Sequence, residues 1–360
     1  MALIKVLVVE DSSLMRNEIK RILEKSNSME VITARNGREG VEMFEKFQPD
    51  VITMDVNMPE MDGLNALNHI MHLKPTPVIM LSSITHEGAL ATYEALELGA
   101  IDFIAKPQGT ISQNLSAMEN ELISKIKSAY RANLKRYFKR PLIEKVQKKT
   151  EKIVPQKIEL QKSLPIESTQ QQFILIGLST GGPNVLLDIL KELNNIKFDA
   201  TIIVVQHMPG NFTQGFAERM NKDLSYSFKQ AKNNELALSG MGYLAEGGRH
   251  LTLQQNDRGY FFKVSQYPNN TTYTPSIDLT FRSVASIVPA ERIIATIMTG
   301  MGADGAQALL EIKNKGGQTI AESEETAVVF GMPKEAIHLN AAQYILPSYE
   351  VGKKIRNLLF

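Results

Sequence analysis

Gly177-Leu178-Ser179-Thr180-Gly181 follows an apolar run and precedes a helix-like segment. This G-x-S-x-G spacing can hold a nucleophilic serine on a tight strand-to-helix turn. The glycines permit the turn, and the free N–H groups of a helix N-terminus suit a developing oxyanion. A glycine-rich turn that only packs, or that binds a phosphate through the same N–H groups, fits these five residues as well. A serine hydroxyl is a poor nucleophile until a base takes its proton, and the chain offers six histidines. His207 ends the apolar run 202–206, so in a parallel sheet it falls at the same edge as Ser179. Asp304, in TGMGADG just beyond the run 293–299, can fix the tautomer of that base. Four of the others lack such a placement: His69 and His72 share a helix face without a third ligand, and His250 in GGRH and His338 stand apart. The order Ser, His, Asp differs from that of α/β-hydrolases, so the motif is no evidence for that fold, and a doubly wound sheet is the expectation.

A second set of polar residues lies near the start of the chain. Glu10, Asp11 and Asp55 each sit at the end of a short β-branched run and would form a hard oxygen site suited to Mg²⁺. Lys106, followed by Pro107, can supply a cation to a phosphoryl group, and the Ser82 hydroxyl can donate to one of its oxygens.

Both sets need sheets to carry them. Short runs at 5–10, 31–34, 51–55, 78–82 and 102–106 alternate with segments of helical period, which predicts a five-stranded doubly wound sheet with its ligands beyond the strand ends. A helix over roughly 114–138 leads into a Lys- and Gln-rich stretch with three prolines and little periodicity, a linker over 139–171. The strand-then-helix rhythm resumes from 172 to 360, and within it 226–273 reads as an antiparallel insertion or edge hairpins. The predicted fold is therefore two doubly wound parallel-sheet α/β domains: a flavodoxin-like unit over 1–138 with its trailing helix, then a Rossmann-like hydrolase unit over 172–360.

Composition removes several alternatives. No cysteine means no disulfide, thiolate metal site or cysteine nucleophile. The 40 Lys and Arg balance 39 Asp and Glu, so no overall field favours nucleic acid or an anionic membrane. Between 125 and 152 eleven basic residues face two acids, which a solvated helix running into a linker explains without a nucleic-acid partner. No apolar run approaches the ~18 residues of a membrane span, and the N-terminal run is broken by Lys5. A cytoplasmic protein without membrane insertion is the expectation, and a monomer.

VVEDS at 8–12, MDVNMPEMDG at 54–63, MLSS at 80–83 and AKP at 105–107 together resemble the receiver domain of response regulators. That resemblance implies phosphorylation of Asp55 by a histidine kinase, with Mg²⁺ on Glu10, Asp11, Asp55 and the Asn57 backbone. IGLSTGGP at 176–183, QHMPGNFTQGFAERMN at 206–221, MTGMGADGA at 298–306 and VVFGMPKEAI at 328–337 resemble the catalytic domain of the CheB family of chemotaxis methylesterases. By that likeness Ser179 is the nucleophile, His207 the general base and acid, and Asp304 its orienting carboxylate. Thr180 and Met301 would lie beside the centre, with the Met301 N–H in the oxyanion hole and no cofactor in the hydrolytic step. The substrates implied are glutamate methyl esters on the cytoplasmic helices of chemoreceptors, with glutamine deamidation at the same carbonyl. Leu178 departs from the small residue usual before the serine, and Thr274 stands before Pro275 where the family commonly has arginine.

Two other readings compete. Gly300, Gly302 and Gly305 match the G-x-G-x-x-G of dinucleotide sites, with Glu322 about 20 residues on as the ribose acid. Asp304 within that loop would oppose a pyrophosphate. A DNA-binding output predicts a compact helix-turn-helix, which the larger, glycine-rich second half does not suggest.

Overall fold

The computed structural model describes residues 3–83, 85–106, 111–132 and 171–359, apart from the side chains of 86, 87 and 111–117. The chain divides into two compact units, Met1–Lys135 and Arg136–Phe360. The predicted linker, up to residue 170, and the predicted end of the helix before it lie outside the described residues.

In the first unit β1 (Ile4–Val9), β2 (Met29–Ala34), β3 (Val51–Asp55), β4 (Val78–Ser82) and β5 (Asp102–Ala105) alternate with α1 (Ser13–Lys25), α2 (Gly37–Phe47), α3 (Gly63–Leu73), α4 (His86–Glu97) and α5 (Ile111–Arg131). The sheet is parallel, in the order β2-β1-β3-β4-β5. Every residue of β3 and β4 is buried, which is why these strands are almost unbroken apolar runs. The caps Ser12, Asn36, Asp62 and Thr85 each accept a backbone N–H of the first helical turn through the side chain, so helices start soon after strands end. The strand order reverses between β1 and β3, and there Glu10, Asp11 and Asp55 project.

The second unit holds β6 (Gln172–Leu178), α6 (Gly182–Lys191), β7 (Ala200–Gln206), α7 (Gly210–Asp223), β8 (Phe228–Gln230), β9 (Met241–Leu244), β10 (His250–Asn256) and β11 (Gly259–Ser265). Then follow α8 (Ile277–Ile287), β12 (Ile293–Ile297), α9 (Ala306–Asn314), β13 (Gln318–Glu322), α10 (Met332–His338), β14 (Tyr344–Leu346) and α11 (Ser348–Leu358). Seven strands form a parallel sheet in the order β14-β13-β12-β6-β7-β9-β8. Its reversal point lies between β12 and β6.

The segment predicted as an antiparallel insertion splits in two. β10 and β11 do form an antiparallel hairpin, whereas β8 and β9 join the main sheet in parallel. These two strands are only three and four residues long, too short for a period to distinguish the two pairings. The hairpin has its own use: α8 lies along β10, held by the Thr280 hydroxyl on the Leu251 carbonyl at 2.8 Å and the Leu253 N–H on Ser283 Oγ at 2.9 Å. Ile277, Phe281 and Val284 of α8 are fully buried in the same core as Leu251 and Phe262. No helix among the described residues is long and apolar enough to cross a membrane.

Candidate active site

β6 and β7 pair so that Leu178 faces Gln206, and the residue after each is Ser179 and His207. Two bonds continue the ladder past the strand ends: His207 N–H to the Leu178 carbonyl at 3.1 Å, and Ser179 N–H to the Thr299 carbonyl at 3.0 Å. The predicted serine and histidine are thus adjacent on one sheet edge, with the loop after β12 on the other side of the serine. A Cβ on Gly300 would lie 2.7 Å from Ser179 Cβ, so that loop passes directly over the serine, and only glycine allows it. Gly181, at φ +80°, makes the turn into α6, where a Cβ would collide with Val328. A Cβ on Gly182 would strike Gln206 Oε1 and lie 2.7 Å from Leu178 Cβ, so the start of α6 packs directly on both strand ends.

His207 and Asp304 are joined by a 2.9 Å bond from Nε2 to Oδ2, both side chains being at most 9 % exposed. With that proton on Nε2, Nδ1 carries the lone pair, and it is buried without a hydrogen-bond partner. Ser179 Oγ likewise makes no hydrogen bond among the described residues. Asp304 is saturated from behind by the start of α8: Oδ2 accepts the Ile277 N–H at 2.8 Å, and Oδ1 accepts the Asp278 N–H at 3.0 Å and the Ser276 hydroxyl at 3.1 Å. Burial alone would raise its pKa, but His207 and these N–H groups hold it below the ordinary aspartate value. The favour is returned, since Asp278 Oδ1 accepts the Ala308 N–H of α9 at 2.9 Å. Each helix is therefore capped by an aspartate that belongs to the other's entry.

Thr180 is buried, and its carbonyl accepts the Thr299 hydroxyl at 2.9 Å. The Met301 backbone lies in the loop over Ser179, packed so closely that a Cβ on Gly331 would stand 3.0 Å from its Cα. Three residues at this edge escape sequence reasoning. Gln206 Nε2 donates to the carbonyls of Ser179 at 2.9 Å and His207 at 3.2 Å, tying the two strand ends together. Tyr273 stacks on the imidazole of His207, with centroids 4.3 Å apart and planes within 8°. Ser276, the cap of α8, reaches Asp304 as described. None of the three has a local signature, because the contacts of Gln206 with Ser179, Tyr273 with His207 and Ser276 with Asp304 join segments far apart in the chain. Tyr273→Ala is expected to lower kcat/KM for the reaction proposed below by about three- to tenfold, the scale of one ring stack, with a smaller loss in Tyr273→Phe.

The dinucleotide reading meets two obstacles. Glu322 is fully buried, its Oε2 taken by the Thr299 N–H and its Oε1 by the Thr326 hydroxyl, both at 2.8 Å. Gly302 and Gly305 are demanded by packing, since their Cβ atoms would strike Tyr273 and the pair Ile277 and Ile297.

In the first unit, Glu10, Asp11 and Asp55 bring ligand oxygens within 4.8 Å of one another, the sole cluster of this kind among the described residues. His69 and His72 are exposed on α3, and His338 lies at the end of α10. Lys106 Nζ lies 2.8 Å from Glu10 and 2.7 Å from Asp55. Burial, and then the Asp55 charge, push the Glu10 pKa up to about 7 despite Lys106, and burial also raises Asp55. One ammonium does not offset three clustered carboxylates, so the donor set fits a hard divalent cation. The Asn57 N–H donates to Asp55, which places its backbone at the cluster. Ser82 is fully buried at the end of β4, and its hydroxyl donates to the Gly88 carbonyl at 3.0 Å.

Residues 174–355 match the family described as CheB methylesterase, and residues 6–116 match the response regulator receiver domain. The chain belongs to the CheB methylesterase family. Full-length relatives bear this out. A protein of Carboxydothermus hydrogenoformans named protein-glutamate methylesterase/protein-glutamine glutaminase 2 is 45 % identical over 366 residues, with 100 % of both chains covered. A Caldanaerobacter subterraneus subsp. tengcongensis protein named protein-glutamate methylesterase/protein-glutamine glutaminase is 44 % identical, over 97 % of this chain and 95 % of its own. Among solved structures, the Thermotoga maritima CheB methylesterase catalytic domain is 38 % identical with a TM-score of 0.50, covering 52 % of this chain and 98 % of that domain. Both parallel-sheet α/β domains expected of the family are present.

Proposed function

We propose that this chain hydrolyses glutamate methyl esters on the cytoplasmic helices of chemoreceptors, and glutamine amides at the same carbonyl. The observation that carries the reading is the His207–Asp304 pair beside Ser179 at one sheet edge, in a chain whose full-length relatives are named for this activity. Nδ1 of His207 takes the Ser179 proton as Oγ attacks the carbonyl, and Asp304 holds the imidazole by Nε2–H and stabilises the imidazolium. The Met301 N–H stabilises the oxyanion, consistent with the course of its loop over the serine. The same histidine returns the proton to methanol, or to ammonia from glutamine, and then draws a proton from the water that releases glutamate.

The domains are read as a receiver over 1–138, a linker over 139–171 and the hydrolase over 172–360. Asp55 is the phosphoacceptor for a histidine kinase, and phosphorylation raises hydrolysis. Glu10, Asp11, Asp55 and the Asn57 backbone would hold Mg²⁺, which supplies charge neutralisation for phosphoryl transfer. Lys106 then pairs with a phosphoryl oxygen, and the Ser82 hydroxyl turns from Gly88 to another.

Methanol release from methylated receptor membranes tests both parts. Wild type is expected to release methanol, faster with a small phosphodonor and Mg²⁺, and Asp55→Ala is expected to lose that stimulation. An Asp55→Ala protein still stimulated by the phosphodonor would overturn the regulatory assignment, and no release by wild type in either condition would overturn the activity.

A further inference from the structure

His250 opens β10 at 1 % exposure, and both ring nitrogens are engaged. Nδ1 accepts the backbone N–H of Ser276 at 3.2 Å, which leaves the proton on Nε2, where it meets the Pro268 carbonyl at 2.9 Å and Thr271 Oγ1 at 3.2 Å. Ser276 is the residue whose hydroxyl reaches Asp304 and whose two successors supply the other N–H groups to that carboxylate. Three rungs join β10 to α8, at residues 250 and 276, 251 and 280, and 253 and 283. The two later rungs reach the helix through Thr280 and Ser283, whereas the first holds the backbone N–H of Ser276, whose hydroxyl touches the acid. A short relay thus runs from His250 through Ser276 and Asp304 to His207.

We propose that His250 is a positioning residue for hydrolysis: its Nδ1 fixes the Ser276 backbone so that the hydroxyl and the first N–H groups of α8 meet Asp304. The inference rests on the Ser179, His207, Asp304 reading above. Small displacements of an orienting group are costly, a shift of about 1 Å being able to cost about 10²-fold in rate. The hairpin that carries His250 is then the brace of the catalytic acid.

Two substitutions separate the nitrogens. In His250→Asn the side-chain oxygen stands near the position of Nδ1 and can still accept the Ser276 N–H, whereas in His250→Gln the amide nitrogen stands near Nε2 and only the Pro268 bond survives. Steady-state methanol release from methylated receptor membranes, measured with the full chain, is expected to show kcat lowered about 10- to 100-fold in His250→Gln. KM stays within about twofold of wild type, and in His250→Asn the loss shrinks to about threefold or less. Added to Asp304→Ala, His250→Gln is expected to cost less than about twofold more, because the group it positions is gone. Equal losses in the two single variants, or an undiminished loss in the Asp304→Ala background, would overturn the proposal and leave the triad reading in place. Full activity in Asp304→Ala would overturn both. Should His250→Gln not fold, Ser276→Ala removes the hydroxyl that meets Asp304 and caps α8, leaving the backbone N–H groups in place. Its expected kcat loss is of the same order, and an unchanged kcat would sink the relay.

Discussion

Ser179→Ala is expected to lower kcat for methyl-ester hydrolysis by about 10⁶-fold while KM changes by less than about threefold. The serine sits where the β6 ladder ends, on a turn whose glycines are fixed by contact with Val328 and Gln206. Removing one oxygen therefore perturbs no packing that holds the turn. What is lost is the covalent route: without Oγ, His207 Nδ1 can only activate water, and the acyl intermediate has nowhere to form. The loop over the serine and the helix N-terminus remain, so a residual rate above that in water is expected. Methanol release under saturating substrate, paired with a thermal unfolding curve matching wild type, checks the prediction. A loss of less than about tenfold in folded protein would remove Ser179 from the chemistry.

Asp304→Asn is expected to cost about 10⁴-fold in kcat. The carboxylate accepts four hydrogen bonds and donates none, two to each oxygen. An amide has one accepting end, so the substituted side chain would set an NH₂ group against donors on one side. Turned towards His207, that NH₂ would donate to Nε2 and send the imidazole proton to Nδ1, the atom that must accept from Ser179. Turned the other way, it would face the Asp278 N–H and the Ser276 hydroxyl and loosen the start of α8. The same substitution should show in stability against pH. Because the Asp304 pKa is depressed in the folded state, its contribution is present above the unfolded value of about 3.9 and lost as pH falls through the lower folded value. Asp304→Asn is expected to flatten that acid limb, which urea midpoints between about pH 2 and 5 would register.

Ser179, His207 and Asp304 were legible because each follows an apolar run, and a parallel sheet brings the ends of such runs to one edge. Glu10, Asp11, Asp55 and Lys106 were legible for the same reason, and all meet at the β1/β3 switch. Glu322 looked available to a ribose because spacing carries no information on burial, and the structure spends both its oxygens on protein donors. Gln206, Ser276 and His250 stayed hidden because the partners that give them their roles lie 26 to 28 positions away along the chain. Tyr273 stayed hidden because its partner His207 belongs to the end of a distant strand. His250 in particular sat in a glycine-rich turn with no strand-end placement, and only the path of α8 along β10 gives it a role. β8 and β9 were misread since strands this short give a period-based reading almost nothing to count.

The exchange of caps between α8 and α9 bears on how this edge opens. The amide protons of Ile277 and Asp278 are held by Asp304, and that of Ala308 by Asp278. Neither first turn can fray without releasing the acceptor that secures the other, so the two turns should share one opening free energy. In deuterium, these three amides should then exchange at a common, slow rate, as a single cooperative block that includes the partner of His207.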